Sequence, residues 1–225
     1  LSGAHVQRLL RASGVPDDVF EVCQGGPRVG RTVAQLRGLG VLAFTGSRDT
    51  GRRVAHYAAS ALAAGVDAHH PLPPRMIAEL GGKDAVYVRA DVADPVAAAA
   101  SVANGVASIA NGAFYNAGQG CCAVERIYVH ASVAEPFIAA FISAAQTFHR
   151  GMGDPIDPTT TLGPLAQSEA PHRIARQVSE AVNNGAKILY GGVDAELPAT
   201  AASTGYFVVP TVVGGTSLRG AQGAH

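Results

Sequence analysis

Three short runs carry the residue types from which chemistry can be built. In Phe114-Tyr115-Asn116-Ala117-Gly118-Gln119-Gly120-Cys121-Cys122 a thiol follows a glycine-rich turn, where backbone N–H groups and a sulfur nucleophile meet an incoming carbonyl together. Thiols attack as thiolates, and amide donors favour that form. A cysteine without such a context is usually a small buried hydrophobe, and Cys122 and Cys23 are read that way. In Glu79-Leu80-Gly81-Gly82-Lys83 a carboxylate stands at the mouth of a glycine turn that lets backbone approach a ligand closely. Without the glycines and lysine behind it, Glu79 would be an ordinary solvated surface glutamate. Phe44-Thr45-Gly46-Ser47, with Gly51 beyond it, closes an apolar strand and opens a helix. Free N–H groups and the positive end of the helix dipole at such a junction suit phosphate, and a serine there also serves as a helix cap.

In this order, phosphate turn, carboxylate turn and thiol turn, the chain resembles the aldehyde dehydrogenase superfamily. The resemblance runs from the first helix through Leu162-Gly163-Pro164 to Gly205-Tyr206-Phe207-Val208-Val209-Pro210-Thr211. It implies an α/β, parallel-sheet architecture: a partial dinucleotide-binding domain over residues 1–80 and a catalytic domain over residues 81–225. In the family the nucleophile is the second residue after the glutamine, which is Cys121 here, and Glu79 takes the place of the general base. The implied cofactor is NAD or NADP, with Gly46 and Ser47 at its pyrophosphate, Gly51 letting the helix pack closely and Leu80 near the nicotinamide. The implied reaction is attack of Cys121 on an aldehyde carbon to give a thiohemiacetal, hydride transfer to the nicotinamide, and hydrolysis of the thioester by water that Glu79 deprotonates.

Composition limits the other classes of function. A chain of 225 residues, 48% of them hydrophobic, holds a proper core in one large domain or two small ones. Seventeen basic residues balance seventeen acidic ones and are scattered, so no field attracts nucleic acid or an anionic membrane. No apolar stretch reaches the roughly 20 residues of a membrane span, and the first residues lack the pattern of a secretory signal; the expected location is the cytoplasm. Three cysteines, two of them adjacent, argue for reduced thiols rather than a disulfide framework. His69-His70 is a local histidine pair without a well-placed acidic or thiol partner, so no metal is expected. Asp84, Asp91 and Asp94 read as caps and strand ends.

The elements that must position the three runs alternate. A helix around Val6, Leu9 and Leu10 stops at Gly14, and a short strand is expected over residues 19–22. The run from Gly25 to Gly30 departs from the G-x-G-x-x-G fingerprint and reads as a turn, followed by a helix near residues 33–36. Residues 41–44 are apolar without interruption, the pattern of a parallel strand buried on both faces, and a helix through Val54, Tyr57, Ala58 and Leu62 comes next. Beyond a loop marked by Pro71, Pro73 and Pro74 come a strand over residues 85–88 and an alanine-rich helix opened by Asp94-Pro95. A strand over residues 126–129 leads to a Ser132/Glu135 capping box ahead of Phe137, Ile138, Phe141 and Ile142. A helix carrying Ile174, Val178 and Val182 ends at Gly185 and passes to a strand over residues 187–190.

The chain departs from the family pattern in places. Ser101-Val102-Ala103-Asn104-Gly105 recurs seven residues later as Ser108-Ile109-Ala110-Asn111-Gly112, and the family's spacing from carboxylate to thiol is shorter than the 42 positions between Glu79 and Cys121. An insertion of that length shifts the downstream chain by about 10 Å along a helix axis and puts the site at risk unless a loop absorbs it. An asparagine that helps hold the oxyanion and a lysine near the adenine ribose have no counterpart, and the sequence leaves the family pattern after Val213, before the segment that binds the nicotinamide ribose. The expectation is a small-aldehyde enzyme by descent, impaired or inactive as this partial chain, with a homo-oligomer expected for a full-length relative. A non-catalytic remnant that binds nucleotide or a full-length homologue is the alternative; a cysteine acyltransferase or hydrolase without a redox cofactor is a third, against which the Gly46-Ser47 turn argues.

Overall fold

Glycines, prolines and apolar runs set the element boundaries. The computed structural model of the protein describes residues 2–63, 74–100, 108–201 and 205–215. Its contacts group into two units, Leu1–Gly81 and Gly82–His225.

In the first unit, helix α1 (Ser2–Ala12) ends just before Gly14, whose φ of +89° lies where glycine is favoured. Helix α2 (Pro27–Ala34), strand β1 (Val41–Thr45), helix α3 (Arg48–Ala63) and strand β2 (Arg75–Glu79) come after it. β1 and β2 pair in parallel, with Val41 opposite Arg75 and Thr45 opposite Glu79. The Arg31 guanidinium lies 5.0 Å from the centre of the Tyr57 ring and ties α2 to α3.

Three expectations for this unit are corrected. Residues 19–22 form no strand, because no described strand runs beside them to complete a ladder, and Val19 and Phe20 are exposed. The run from Gly25 to Gly30 is not a simple turn, because Pro27 opens α2: proline lacks an N–H and its fixed φ matches the first helical position. β1 is not buried on both faces; its residues alternate between exposed and half-buried, with Val41 54% exposed.

The second unit holds strands β3 (Asp84–Val88) and β4 (Val124–Val129), paired in parallel. Helices α4 (Pro95–Ala100), α5 (Ile109–Phe114), α6 (Ala134–Arg150) and α7 (Ala170–Asn183) complete it with strands β5 (Lys187–Tyr190) and β6 (Val212–Gly214). β5 and β6 are antiparallel, so the sheets are not parallel throughout. Val88, Ala99, Ala110, Phe137 and Phe141 form the main core, and Met152, Leu162 and Ala201 a second one, with Phe114 packed against both. Asp94 caps α4 as expected, its Oδ1 accepting the Ala97 N–H at 2.9 Å ahead of Pro95. The Ser132/Glu135 capping box does not form. A 3-10 turn (Ala131–Val133) precedes α6, so Ser132 lies inside the turn, and His130 Nδ1 accepts its N–H instead. α7 ends before Gly185, at φ +92°.

The second copy of the seven-residue repeat forms α5, with Ser108 Oγ accepting the Asn111 N–H at its start. The first copy, His69, His70, Pro71, Pro73 and the last ten residues, 216–225, lie outside the described residues. Among the described residues no helix is long and apolar enough to cross a membrane, and no three His, Cys, Asp or Glu side chains gather as a metal site requires.

One polar contact fixes the end of α6 against β5. The Tyr190 hydroxyl lies 2.6 Å from His149 Nδ1, and His149 Nε2 lies 3.0 Å from the Glu196 carbonyl oxygen. A carbonyl only accepts, so Nε2 donates to it and Nδ1 accepts from the phenol. Burial raises the Tyr190 pKa against a smaller opposing pull from Arg150. The folded phenol therefore holds its proton more tightly than the unfolded one; this stabilisation is present below the unfolded pKa and is lost as pH rises through the folded value. Tyr190→Phe is expected to cost about 1 kcal/mol at neutral pH and to remove this alkaline loss, as read from urea unfolding at neutral and alkaline pH. Equal alkaline sensitivity of variant and wild type would refute the assignment.

Candidate active site

The thiol turn is built from its anchors outward. Phe114, the last residue of α5, packs on Phe141 and Phe148 with ring centres 5.7 and 5.5 Å away. The chain then turns left-handed through Asn116, Ala117 and Gly118, at φ values of 52°, 56° and 71°. Asn tolerates this region and Gly is free in it, while Ala117 is strained by about 1–2 kcal/mol. Ala117 packs against the Met152 cluster, which holds the turn in place. Gln119 fastens both ends: its Nε2 donates to the Asn116 carbonyl at 3.0 Å, and its Oε1 accepts the Ala166 N–H at 2.9 Å. A final β-turn, closed by the Ala123 N–H donating to the Gly120 carbonyl at 3.2 Å, carries Cys121 and Cys122 at its two central positions. Both are exposed, as is Cys23, so the expectation that Cys122 and Cys23 are buried hydrophobes is corrected: Cys122 sits at the tip of a turn and Cys23 in a segment outside any helix or strand. Among the described residues the amides of Cys121 and Cys122 donate to no acceptor.

The base of this turn rests on Gly82. A Cβ placed there would collide with the Cys121 carbonyl oxygen and stand 2.9 Å from Asp84 Oδ1. The obstacle is backbone and cannot swing away. Nearby, Lys83 pairs with Glu125, and the Arg126 guanidinium donates twice to the Lys83 carbonyl at 3.2 and 2.7 Å, so the start of β3 is locked to β4 beside the thiol turn. Gly82→Ala is expected to lower the alkylation rate of Cys121 at least 10-fold by displacing its backbone, with a stability loss of about 1–3 kcal/mol. Iodoacetamide labelling followed by peptide mapping checks this, and an unchanged rate would show that the close approach is not needed.

In the first unit the structure brings Gly46, Ser47, Gly51, Glu79 and Leu80 together. The parallel register sets Glu79 beside Thr45, and the Gly46 N–H donates to the Glu79 carbonyl at 3.0 Å. The Leu80 side chain lies over Gly51, where a Cβ would come within 2.6 Å of Leu80 Cδ2. Ser47 caps α3: its Oγ accepts the Thr50 N–H at 3.3 Å and donates to Thr50 Oγ1 at 2.9 Å. Gly46, Ser47 and the first residues of α3 are exposed, and the first-turn amides have no partner within the helix. With the Gly46 and Thr50 amides already taken, the Ser47, Arg48 and Asp49 amides, which donate to no acceptor among the described residues, can hold a phosphate, and Asp49 is the acidic side chain of the first turn. The Glu79 side chain is exposed at the end of β2. Cys121 belongs to the second unit.

Sequence reasoning missed the tie through Gln119, the left-handed Ala117 and the contact of Gly82 with Cys121. An Asn-x-Gly triplet before the glutamine was a signal for the second of these. The other two join residues distant in sequence and left no local trace.

Comparison with known proteins bears on the family and the fold. Residues 1–219 match the aldehyde dehydrogenase family profile. A D-glyceraldehyde dehydrogenase (NADP(+)) of Thermoplasma acidophilum is 30% identical over 97% of the chain and 40% of its own length. An aminoacetaldehyde dehydrogenase of Pseudomonas aeruginosa is 33% identical over 96% of the chain and 38% of its own length. The solved structure of an indole-3-acetaldehyde dehydrogenase complexed with NAD+ matches with a TM-score of 0.80 at 27% identity, over 96% of this chain and 39% of that one. The chain thus spans about two fifths of the length of these relatives. With a sequence match across nearly its whole length and an α/β fold shared with solved members, the chain belongs to the aldehyde dehydrogenase family.

Proposed function

We propose that the protein oxidises a small aldehyde to a carboxylic acid with NAD+ or NADP+, with Cys121 as nucleophile and Glu79 as general base. The observation that carries this reading is the thiol turn itself: an exposed cysteine in a turn held by left-handed backbone, a glutamine tie and a glycine contact, its own amide donating to no acceptor among the described residues. Left-handed backbone at non-glycine residues such as Asn116 and Ala117 clusters at functional sites.

Each residue then has a defined task. Cys121 Sγ adds to the aldehyde carbon, and the Cys121 N–H donates to the oxygen as charge develops on it. The cofactor, when bound, supplies the hydride acceptor. The Ser47, Arg48 and Asp49 amides would hold its pyrophosphate beside Gly46, whose own N–H stays on the Glu79 carbonyl, Gly51 permits α3 to pack against Leu80, and Leu80 would give the nicotinamide an apolar neighbour. Glu79 accepts a proton from the water that hydrolyses the thioester on Cys121, and the thiol leaves as the acid forms. The relatives named above bear the names of different aldehydes, and one name carries NADP while one structure holds NAD+, so the reading stays at an aldehyde and a nicotinamide dinucleotide.

The test is formation of reduced nicotinamide, followed by absorbance with a panel of short aldehydes and both dinucleotides. Turnover with at least one pairing, and equimolar acid as product, is the expected result. Folded protein that reduces neither dinucleotide with any aldehyde would refute the reading in favour of a remnant that has kept the fold and lost the reaction.

A further inference from the structure

The even balance of charge along the whole chain hides a local excess. Residues 25–63 carry six arginines, no lysine and one acidic residue, Asp49, which lies 3.6 Å from Arg48. Arg28, Arg31, Arg52 and Arg53 are exposed and, among the described residues, pair with no carboxylate. The fold gathers these four. Arg28 and Arg31 are three apart on α2, and Arg53 and Tyr57 four apart on α3, spacings that put side chains on one face of a helix. The Arg31 guanidinium, 5.0 Å from the centre of the Tyr57 ring, joins the two faces, and Arg52 stands beside Arg53. Arg31 Nε donates to Gln35 Oε1 at 3.3 Å, while its terminal N–H groups donate to no acceptor among the described residues. We propose that this arginine face of α2 and α3 binds a nucleic acid through its phosphate backbone.

The chemistry of the side chains favours that partner. Like charges at these spacings repel, and a polyanion laid across them turns the repulsion into attraction. Guanidinium groups meet phosphate oxygens with two parallel N–H donors and are more weakly hydrated than ammonium groups, so an all-arginine face suits phosphate. Their planes also stack on unpaired bases, which an acidic peptide lacks. The turn at Gly46 offers backbone amides and none of these four side chains, so the face stands with or without aldehyde oxidation.

Anisotropy of a fluorescein-labelled oligodeoxythymidylate of about 15 nucleotides, titrated with the full chain, tests the face. Binding is expected to weaken with potassium chloride at a log–log slope of about −3, four neutralised phosphates at roughly 0.7 each. Arg28→Glu with Arg31→Glu, and separately Arg52→Glu with Arg53→Glu, should each lower affinity at least about 10-fold and about halve the slope. Arg28→Lys with Arg31→Lys keeps the charge and should keep the slope, which separates lost contacts from a lost fold. Arg173→Glu with Arg176→Glu, exposed on α7, should bind as wild type. No salt-dependent binding, or charge-reversed α2 and α3 proteins that bind as wild type, would overturn the proposal. Displacement by polyglutamate as readily as by unlabelled oligonucleotide would overturn it in favour of an acidic protein partner. Displacement by stoichiometric NAD+ would overturn it too, returning the arginines to the dinucleotide.

Discussion

Cys121→Ala is expected to abolish aldehyde oxidation, with a fall in kcat on the order of 10⁶, the scale for removing a covalent nucleophile. Its unfolding should stay within about 0.5 kcal/mol of wild type, because the side chain is exposed and fills no core. The turn that carries it is held by Gln119, Gly82 and the Gly120–Ala123 hydrogen bond, none of which involves the sulfur. Activity and stability should therefore separate cleanly, as steady-state assays beside urea unfolding would show. A Cys121→Ala protein that still turns over would place the nucleophile elsewhere.

Glu79→Gln is expected to lower steady-state turnover by about 10²- to 10⁴-fold, the range for loss of a general base. The loss should fall on one half of the reaction. A neutral amide cannot take a proton from water, so thioester hydrolysis slows while attack by Cys121 proceeds. The first turnover should still release a burst of reduced nicotinamide, followed by a slow phase. The fold should be unaffected, since it is the Glu79 carbonyl, not its side chain, that binds the Gly46 N–H. Loss of the burst together with the slow phase would remove Glu79 from hydrolysis and put it in an earlier step.

Local chemistry makes much of the fold and site legible in the sequence. Gly14 and Gly185 stop helices at positive φ, and Asp94 with Pro95 opens α4, because caps and stops are decided within one turn of chain. The apolar run before Gly46 identifies β1, and the Gly46-Ser47 turn into α3 comes with it. β2 is hidden: Arg75–Glu79 is short, has charged ends, and becomes a strand through its pairing with residues 34 positions earlier. The burial of β1 is illegible for the same reason, since an apolar run records what a strand can bury and not what covers it. The glycines after Glu79 read as room for a ligand, yet Gly82 makes room for the Cys121 carbonyl. Ser132 and Glu135 have capping-box spacing, but His130 competes for the same amide. At Ala117 the left-handed backbone is signalled by its neighbours Asn116 and Gly118, since alanine itself carries no hint of it.

The most direct test is to trap the covalent intermediate. Glu79→Gln protein mixed with aldehyde and dinucleotide, quenched in acid within the burst and analysed by intact mass and peptide mapping, should carry one acyl group in thioester linkage on Cys121. Reduced nicotinamide formed in the burst with no acyl group on the protein, or with the acyl group on Cys122 or Cys23, would contradict the assignment of Cys121 as the nucleophile.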